Sequence, residues 1–287
     1  MESDGSYPLV ASALIVIYVA TVHWRQEAWI DRQLRSISTY APGAQVWASL
    51  DGIDVSHFSK FTKAWSLDAE DLGPGLEPYA STSTDINGDR HGLKLNELAR
   101  RIAEVANDDD VIVFIDGDAL LVSPLAPVIV ANENLTAVRR DENDGDFFPH
   151  PSLCLTTVGQ WKALQGDWRR GEYLTNANGR VMTDTGTKLL SQLDDKGWSW
   201  TALTRINRQN LHPVWFGLYG TDSLGPVVYH HGAGFRTRVS RADLAESSTT
   251  KWYQWRSFED RQAALDARVQ KWMDRDPDNW WRRRLMA

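Results

Sequence analysis

The sequence predicts an α/β protein with a mostly parallel central sheet flanked by helices, because strand-like and helix-like patterns alternate along its first half. Residues 13–21 are apolar and rich in β-branched side chains, which is typical of a buried strand. Ile30, Leu34 and Ile37 then recur at helical spacing before a proline–glycine stop. Strands joined by such a helix are expected to run parallel.

The same alternation continues to residue 116. Residues 45–50 predict a second strand, and residues 53–90 predict irregular structure that includes a loop over 81–89. Apolar positions on one helical face predict a helix over 93–106. The apolar run at residues 111–115 predicts a strand buried on both faces.

The second half of the chain has weaker patterns. Residues 147–157 predict a strand that two prolines interrupt, so an edge position or a bend is expected there. A helix is predicted over 185–194, a short strand over 226–229 and a helix over 258–273. No repeat or linker divides the sequence, so one domain is expected over residues 1–287.

Composition excludes several classes of protein. A net charge of −7 over 287 residues argues against a nucleic-acid partner. Cys154 is the single cysteine, which fits a reducing, cytoplasmic location. The apolar stretch at 9–20 is too short to span a bilayer, so no transmembrane segment is expected. The 14 tryptophans predict mainly core packing, and the basic aromatic residues 280–284 leave a peripheral membrane contact open beside a packed terminus.

The most informative motif is Asp116-Gly117-Asp118, which follows the buried strand at 111–115. Asp-Gly-Asp is also common in solvated turns, and that reading is the alternative. Two carboxylates at the carboxyl end of a strand repel each other unless a cation lies between them. A divalent ion such as Mn²⁺ or Mg²⁺ can in turn hold a diphosphate.

A second group of polar residues follows the short strand at 226–229. His230 and His231 precede a glycine-rich stretch that ends in Arg236. Imidazole nitrogen and carboxylate oxygen together make a mixed site for a manganese-like ion, and arginine can neutralise a departing diphosphate. One of the two histidines is expected to be a packed core residue.

The segments HGLKLNEL at 91–98 and VIVFIDGDALLV at 111–122 resemble the donor-binding region of GT-A fold glycosyltransferases. They are most similar to the retaining group of glycogenin and the bacterial galactosyltransferases, which also has a late His-x-x-Gly motif. The sequence departs from that motif because Arg236 lies one position closer than the family's lysine and the Pro-Trp that usually follows is missing.

The resemblance implies a GT-A (nucleotide-diphospho-sugar transferase) fold, with a donor-binding half over about 9–125 and an acceptor-side half over about 126–287. It implies that Asp116, Asp118 and either His231 or His230 bind the metal. The residues expected around the nucleotide-sugar donor are Thr21, Asp51, Lys94, Asp116, Gly117, Asp118, Gly232 and Arg236.

The predicted function is metal-dependent transfer of a sugar, expected to be a hexose, from a nucleotide-diphosphate donor to a saccharide, lipid-linked or peptide acceptor. Retention of configuration is favoured by the resemblance. Asp184 and Arg236 are the candidate catalytic residues, although Thr183 or Asp184 as a helix N-cap is an equal alternative. His150 and Ser152 are candidates for the acceptor pocket, beside an ordinary loop reading.

Three other functions compete with this one. A haloacid-dehalogenase-like phosphatase also places Asp-x-Asp after a strand, but the residues after Asp118 and the missing late acidic motif argue against it. A nucleotidyltransferase of similar fold would need a glycine-rich basic loop after the first strand, and residues 22–27 contain no glycine. A non-catalytic sugar-binding module would explain the tryptophans but not a metal site beside a diphosphate.

Overall fold

Strands and helices alternate along the chain, and the strands form a large sheet with helices on its faces. The computed structural model describes residues 14–25, 27–67, 85–143, 145–171, 173–175, 179, 181–232 and 255–287, and of 85–89 and 255–262 it describes the backbone alone. The strands are β1 (Ile17–Trp24), β2 (Gln45–Asp51), β3 (Lys63–Trp65), β4 (Val111–Asp116), β5 (Ala119–Leu121), β6 (Thr136–Val138), β7 (His150–Thr157), β8 (Leu174–Thr175), β9 (Val181–Met182), β10 (Thr201–Arg205), β11 (Gly217–Thr221) and β12 (Gly225–His230). The helices are α1 (Ala28–Tyr40), α2 (Asp85–Ala103), α3 (Ala126–Ala131), α4 (Val158–Leu164), α5 (Thr187–Lys196), α6 (Trp255–Arg275) and α7 (Trp280–Arg284), with a 3-10 helix at Val55–Lys60.

Ten of these strands form one sheet, in the order β3-β2-β1-β4-β7-β6-β10-β11-β12-β5, and β8 and β9 form a separate hairpin. The strands β3, β2, β1 and β4 are parallel neighbours, as are β6 and β10. Strands β5, β7 and β11 run opposite to the others in the sheet. The predicted α/β class and mainly parallel sheet are therefore confirmed.

The alternating side chains of β4 build two core layers, one on each face of the sheet. Val113 and Ile115 belong to a buried cluster that includes residues of α1. Ile112 and Phe114 belong to a second cluster, on the side of α2. Because both faces are covered, all six residues of β4 are buried, which explains its uninterrupted apolar sequence.

Two predicted boundaries differ from the structure in the first half of the chain. Strand β1 begins at Ile17 rather than at residue 13 and continues to Trp24. The loop predicted over 81–89 is wrong for 85–89, because helix α2 begins at Asp85. Polar and acidic residues suit the first turn of a helix as well as they suit a loop, which explains the error.

The predicted edge position for the proline-containing strand is wrong, because β7 lies between β4 and β6. The predicted bend is present instead. Pairing with β6 steps from Ala137–Cys154 to Val138–His150, so Pro151 falls in the irregular segment. A proline that cannot donate a ladder hydrogen bond is tolerated where the ladder is interrupted.

The C-terminal residues pack against the sheet. Val269 and Met273 of α6 and Trp280 and Trp281 of α7 are buried in a third cluster, and Trp280 lies edge-on to Tyr229 of β12. Within residues 280–284, the two tryptophans are therefore packed and the three arginines are exposed. Of the helices within the described residues, none is long and apolar enough to be a membrane span.

Leu98 tests the layer under α2, because its side chain is fully buried there. We expect Leu98→Ala to lower the free energy of unfolding by about 2–5 kcal/mol through lost burial and a residual cavity. The matched control is Leu14→Ala, since Leu14 is 89% exposed and should change stability by less than about 0.5 kcal/mol. Denaturant unfolding measures both, and equal stabilities of the two variants would contradict the packing described.

Candidate metal centre

The Asp116-Gly117-Asp118 motif forms the tight connection between β4 and β5. Both carboxylates are buried, with Asp116 5% and Asp118 1% exposed. A Cβ atom on Gly117 would lie 2.5 Å from the carbonyl oxygen of Val22 and 2.9 Å from Nδ1 of His23. Glycine is therefore required here because the end of β1 passes directly over the turn.

Gln33, a buried residue of α1, holds this turn through its amide. Its Nε2 donates to the carbonyl oxygens of Asp116 at 2.6 Å and Ala119 at 3.1 Å. Its Oε1 accepts from the hydroxyl of Thr21 at 2.9 Å and lies 3.0 Å from Nε2 of His23. Since Oε1 can only accept, His23 carries its proton on Nε2.

Thr21, one of the residues predicted around the donor, lies inside this network. Its side chain is fully buried and its hydroxyl is committed to Gln33. Sequence reasoning missed Gln33, although a glutamine on the same helical face as Ile30 and Ile37 was a usable signal.

His230 joins the two carboxylates of the motif. Its Nε2 lies 3.3 Å from Oδ1 of Asp118 and 3.6 Å from Oδ2 of Asp116. One ligand atom from each residue lies within 4.8 Å of the other two. The position follows from strand pairing, because His230 at the end of β12 pairs with Ala119 at the start of β5.

Asp116, Asp118 and His230, called the metal group below, fit a divalent cation. Two carboxylates and one imidazole form a mixed oxygen and nitrogen set of the kind that manganese-like ions accept. Oδ2 of Asp116 and Oδ1 of Asp118 both lie close to Nε2 of His230, at 3.6 Å and 3.3 Å, so each carboxylate offers one oxygen to the same point. Burial raises the pKa of the Asp116 carboxyl and the charge of Asp118 adds to the rise, whereas His91 and His230 oppose it. A bound cation would stabilise the charged carboxylate and so lower the pKa of Asp116 again.

His231 lies outside the group, because adjacent residues at the end of a strand point to opposite sides. Its Nδ1 lies 2.9 Å from the hydroxyl of Tyr229, and its Nε2 lies 2.6 Å from Oδ1 of Asp266 in α6. The ring packs between Trp29 and Phe216. Its side chain therefore connects β12 to α6.

The backbone beyond the histidines orients Asp118. The N–H of His231 donates to the carbonyl oxygen of Asp118 at 3.2 Å. The N–H of Gly232 donates to Oδ2 of Asp118 at 3.1 Å, so Gly232 supports the metal group directly. Arg236, the predicted diphosphate partner, lies outside the described residues.

Lys94 and Asp51, both predicted near the donor, form an ion pair with each other. The contact joins α2 to the carboxyl end of β2, next to the end of β1, since Asp51 pairs with Trp24. Burial lowers the pKa of Lys94 to about 8. The pair and Asp116 both lie at the carboxyl ends of the strands, because β2, β1 and β4 are parallel.

His150 lies beside His230, with ring centroids 5.4 Å apart, and its Nδ1 is 3.8 Å from Oδ2 of Asp116. Burial, reinforced by the positive charge of Arg140, holds the pKa of His150 well below its usual range. Its Nδ1 accepts from the backbone N–H of Ser152 at 3.1 Å, so the proton of the neutral ring is on Nε2. His150 therefore offers a neutral donor next to the metal group.

Arg140 is a functional candidate that sequence reasoning missed. Burial alone lowers its pKa, but neighbouring negative groups, Asp184 among them, raise the pKa above the usual arginine range. Its charge also acts on Asp116 and His150. Arg140 is therefore a permanent cation whose field reaches both the metal group and the predicted acceptor-side carboxylate.

Asp184 precedes α5 without capping it, so the predicted N-cap role of Thr183 or Asp184 is wrong. The N-cap is Gly186, with φ of 102° and no side-chain cap. A Cβ atom at Gly186 would lie 2.0 Å from the carbonyl oxygen of Pro149, which excludes other residues there. Oδ1 of Asp184 instead accepts from the N–H of Thr185 at 2.8 Å.

The chain matches no protein-family model and no curated protein sequence. Solved structures similar to it include the galactosyltransferase LgtC in complex with donor and acceptor sugar analogues, at 12% identity over 64% of this chain and 72% of that chain, with a TM-score of 0.36. The apo form of the glycosyltransferase GlyE of Streptococcus pneumoniae is similar at 12% identity over 65% of this chain, with a TM-score of 0.39, and the match spans 45% of GlyE.

Glucosyl-3-phosphoglycerate synthase from Mycobacterium tuberculosis, in complex with phosphoglyceric acid, is similar at 16% identity over 68% of this chain and 73% of that chain, with a TM-score of 0.37.

The network under the turn predicts a pH dependence of stability. Burial lowers the pKa of His23 from 6.5 to about 4. The unfolded chain binds the His23 proton more tightly than the folded protein does. The contribution of neutral His23 to the free energy of unfolding is therefore complete above pH 6.5 and is lost as the pH falls toward 4. The loss approaches about 1.4 kcal/mol per pH unit.

Unfolding free energies measured between pH 7.5 and 5 test this expectation. The decrease should be about 2 kcal/mol smaller in His23→Gln than in the wild type, because the variant lacks the titrating ring. Val55→Ala is the control and should keep the wild-type pH profile, since Val55 is 79% exposed on the 3-10 helix and has no titrating group. Parallel pH profiles for the wild type and His23→Gln would contradict a neutral buried His23.

Proposed function

We propose that this protein is a metal-dependent glycosyltransferase of the GT-A type that transfers a sugar, a hexose in the first instance, from a nucleotide-diphosphate donor. The observation that carries the proposal is the buried group of Asp116, Asp118 and His230 at the carboxyl end of a parallel strand. Ligands of open α/β sheets bind at this edge.

Charge supports a diphosphate as the ligand. The chain carries a net charge of −7, so an anionic donor needs local positive charge. Asp116, Asp118 and His230 would hold Mn²⁺ or Mg²⁺, which supplies a Lewis acid that stabilises charge on the leaving diphosphate. Arg140 adds a permanent positive charge from the protein itself, and Arg236 remains a candidate for the same role.

The acceptor is proposed to bind on the side of Asp184 and His150. The neutral His150 would donate a hydrogen bond from Nε2 to the acceptor, and Asp184 would orient the acceptor hydroxyl or stabilise the cationic sugar. In an inverting enzyme Asp184 would instead accept the proton of that hydroxyl. The negative charge of Asp184 acts on Arg140, which also acts on His150, so these three groups share one electrostatic environment. Retention of configuration is part of the proposal, as is the assignment of residues 126–287 to the acceptor side.

Product analysis with a panel of UDP, GDP, TDP and CDP sugars, with and without Mn²⁺, tests the proposal. Transfer releases a nucleoside diphosphate, whereas a nucleotidyltransferase releases pyrophosphate and a phosphatase releases phosphate. A metal–nucleotide pair that binds should also raise the melting temperature by mass action. If no pair raises the melting temperature and no nucleoside diphosphate appears, the proposal is wrong.

Asp118→Asn is expected to remove Mn²⁺-stimulated transfer, with a loss of at least about 10²–10³ in rate, because a neutral amide holds the cation less well. The matched control is Asp195→Asn, at an exposed position of α5. Initial rates at saturating donor measure the effect. Wild-type donor affinity and rate in Asp118→Asn would show that the motif is not part of the active site.

Substitution of His230 and of His231 should have different effects on Mn²⁺ binding and on stability. His230→Ala is expected to weaken Mn²⁺ binding by at least about tenfold, because it removes a ligand. His231→Ala is expected to leave Mn²⁺ affinity near the wild-type value but to lower the free energy of unfolding by about 1–3 kcal/mol, because Tyr229 and Asp266 lose a buried partner. Calorimetric Mn²⁺ titration and thermal unfolding measure the two effects, and the reverse pattern would assign the metal to His231.

A further inference from the structure

His91 faces the oxygen of Asp116 that lies away from His230. Nε2 of His91 is 3.3 Å from Oδ1 of Asp116. Both atoms are buried, and within the described residues neither has a hydrogen-bond partner. A buried donor and a buried acceptor that face each other unpaired each lose free energy, and a small rotation of either side chain would pair them.

The two oxygens of Asp116 therefore have different surroundings. Oδ2 is 3.6 Å from Nε2 of His230, on the side of the metal group. Oδ1 faces His91, which comes from helix α2 rather than from the strands that build the group. A carboxylate that gives one oxygen to a cation and the other to a neighbouring N–H is held in a single orientation.

Helix α2 presents His91 from a fixed position. A Cβ atom on Gly92 would lie 2.6 Å from the carbonyl oxygen of Trp168, so the helix is in close contact with that segment immediately beside His91. One turn later, Asn96 accepts from the N–H of Trp168 at 2.9 Å and donates to Asp167 at 2.7 Å. The imidazole is thus carried by a rigid element.

We propose that His91 is a positioning residue of the metal centre, which donates from Nε2 to Oδ1 of Asp116 and so directs Oδ2 toward the cation. This inference rests on the proposed metal-dependent function. Gln33 already holds the backbone carbonyl of Asp116. His91 would hold its side chain, so that the carboxylate is oriented before the cation binds.

Mn²⁺ binding to the donor-free protein tests the role of His91, with free Mn²⁺ measured by electron paramagnetic resonance. His91→Ala should bind Mn²⁺ about 10–100-fold more weakly, the usual effect of losing a group that supports a metal ligand. His91→Gln should recover most of the affinity, because its amide keeps an N–H donor. His57→Ala should bind like the wild type, although His57 Nε2 also lies close to a carboxylate, 3.4 Å from Glu27.

A second measurement separates positioning from coordination. The nitrogen coupling to bound Mn²⁺ from His230 should persist in His91→Ala, because His91 is not a ligand. Metal-free melting temperatures of the variants establish that they fold, and His91→Gln provides the comparison if the alanine variant does not.

The outcomes are distinguishable. Failure of the wild type to bind Mn²⁺ would overturn the proposed function and this inference with it. Wild-type affinity in His91→Ala, or no recovery in His91→Gln, would overturn the inference alone. Loss of a nitrogen coupling in His91→Ala would make His91 a ligand and would also overturn it.

Discussion

The hydrogen bonds of Gln33 are the constraint on which the candidate site depends. The turn after β4 has to place two carboxylates at the edge of the sheet without a regular ladder to hold its backbone. One amide from α1 supplies donors to the carbonyl oxygens of Asp116 and Ala119, and its own oxygen is satisfied by Thr21 and His23. One side chain therefore joins the helix, the first strand and the turn, and the absence of a side chain at Gly117 lets them approach closely enough for these bonds to form.

The electrostatics around this turn are a balance between burial and nearby positive charge. Burial disfavours the charged form of Asp116, while His91 and His230 favour it and Arg140 adds a smaller effect in the same direction. The same arginine helps to keep His150 neutral. The protein therefore holds the carboxylates in place without fully neutralising their charge, which favours binding of a divalent cation. The bound cation would in turn attract an anionic ligand.

Local patterns predicted the parts of the structure that local physics determines. The uniformly apolar run before Asp116 indicated a strand buried on both faces, and it is one. The alternation rule implied that His230 and His231 point apart, but which of them faces the carboxylates depends on the pairing of β12 with β5, a long-range contact that no local pattern encodes. Gln33 and Arg140 were missed because the contacts that tie them to the site are long-range: Gln33 reaches the carbonyl oxygens of Asp116 and Ala119, and Arg140 interacts with Asp184. The acidic start of α2 was misread because caps, first turns and loops use the same residues.

The contact between His231 and Asp266 links the site to the end of the chain. His231 follows the metal-group histidine directly and is anchored to a helix 35 residues later. During synthesis, Asp116 and Asp118 leave the ribosome long before the strand that supplies His230, and that strand gains its anchor later still. The two carboxylates therefore lack the imidazole of His230 until the later strand and its anchor in α6 have been synthesised.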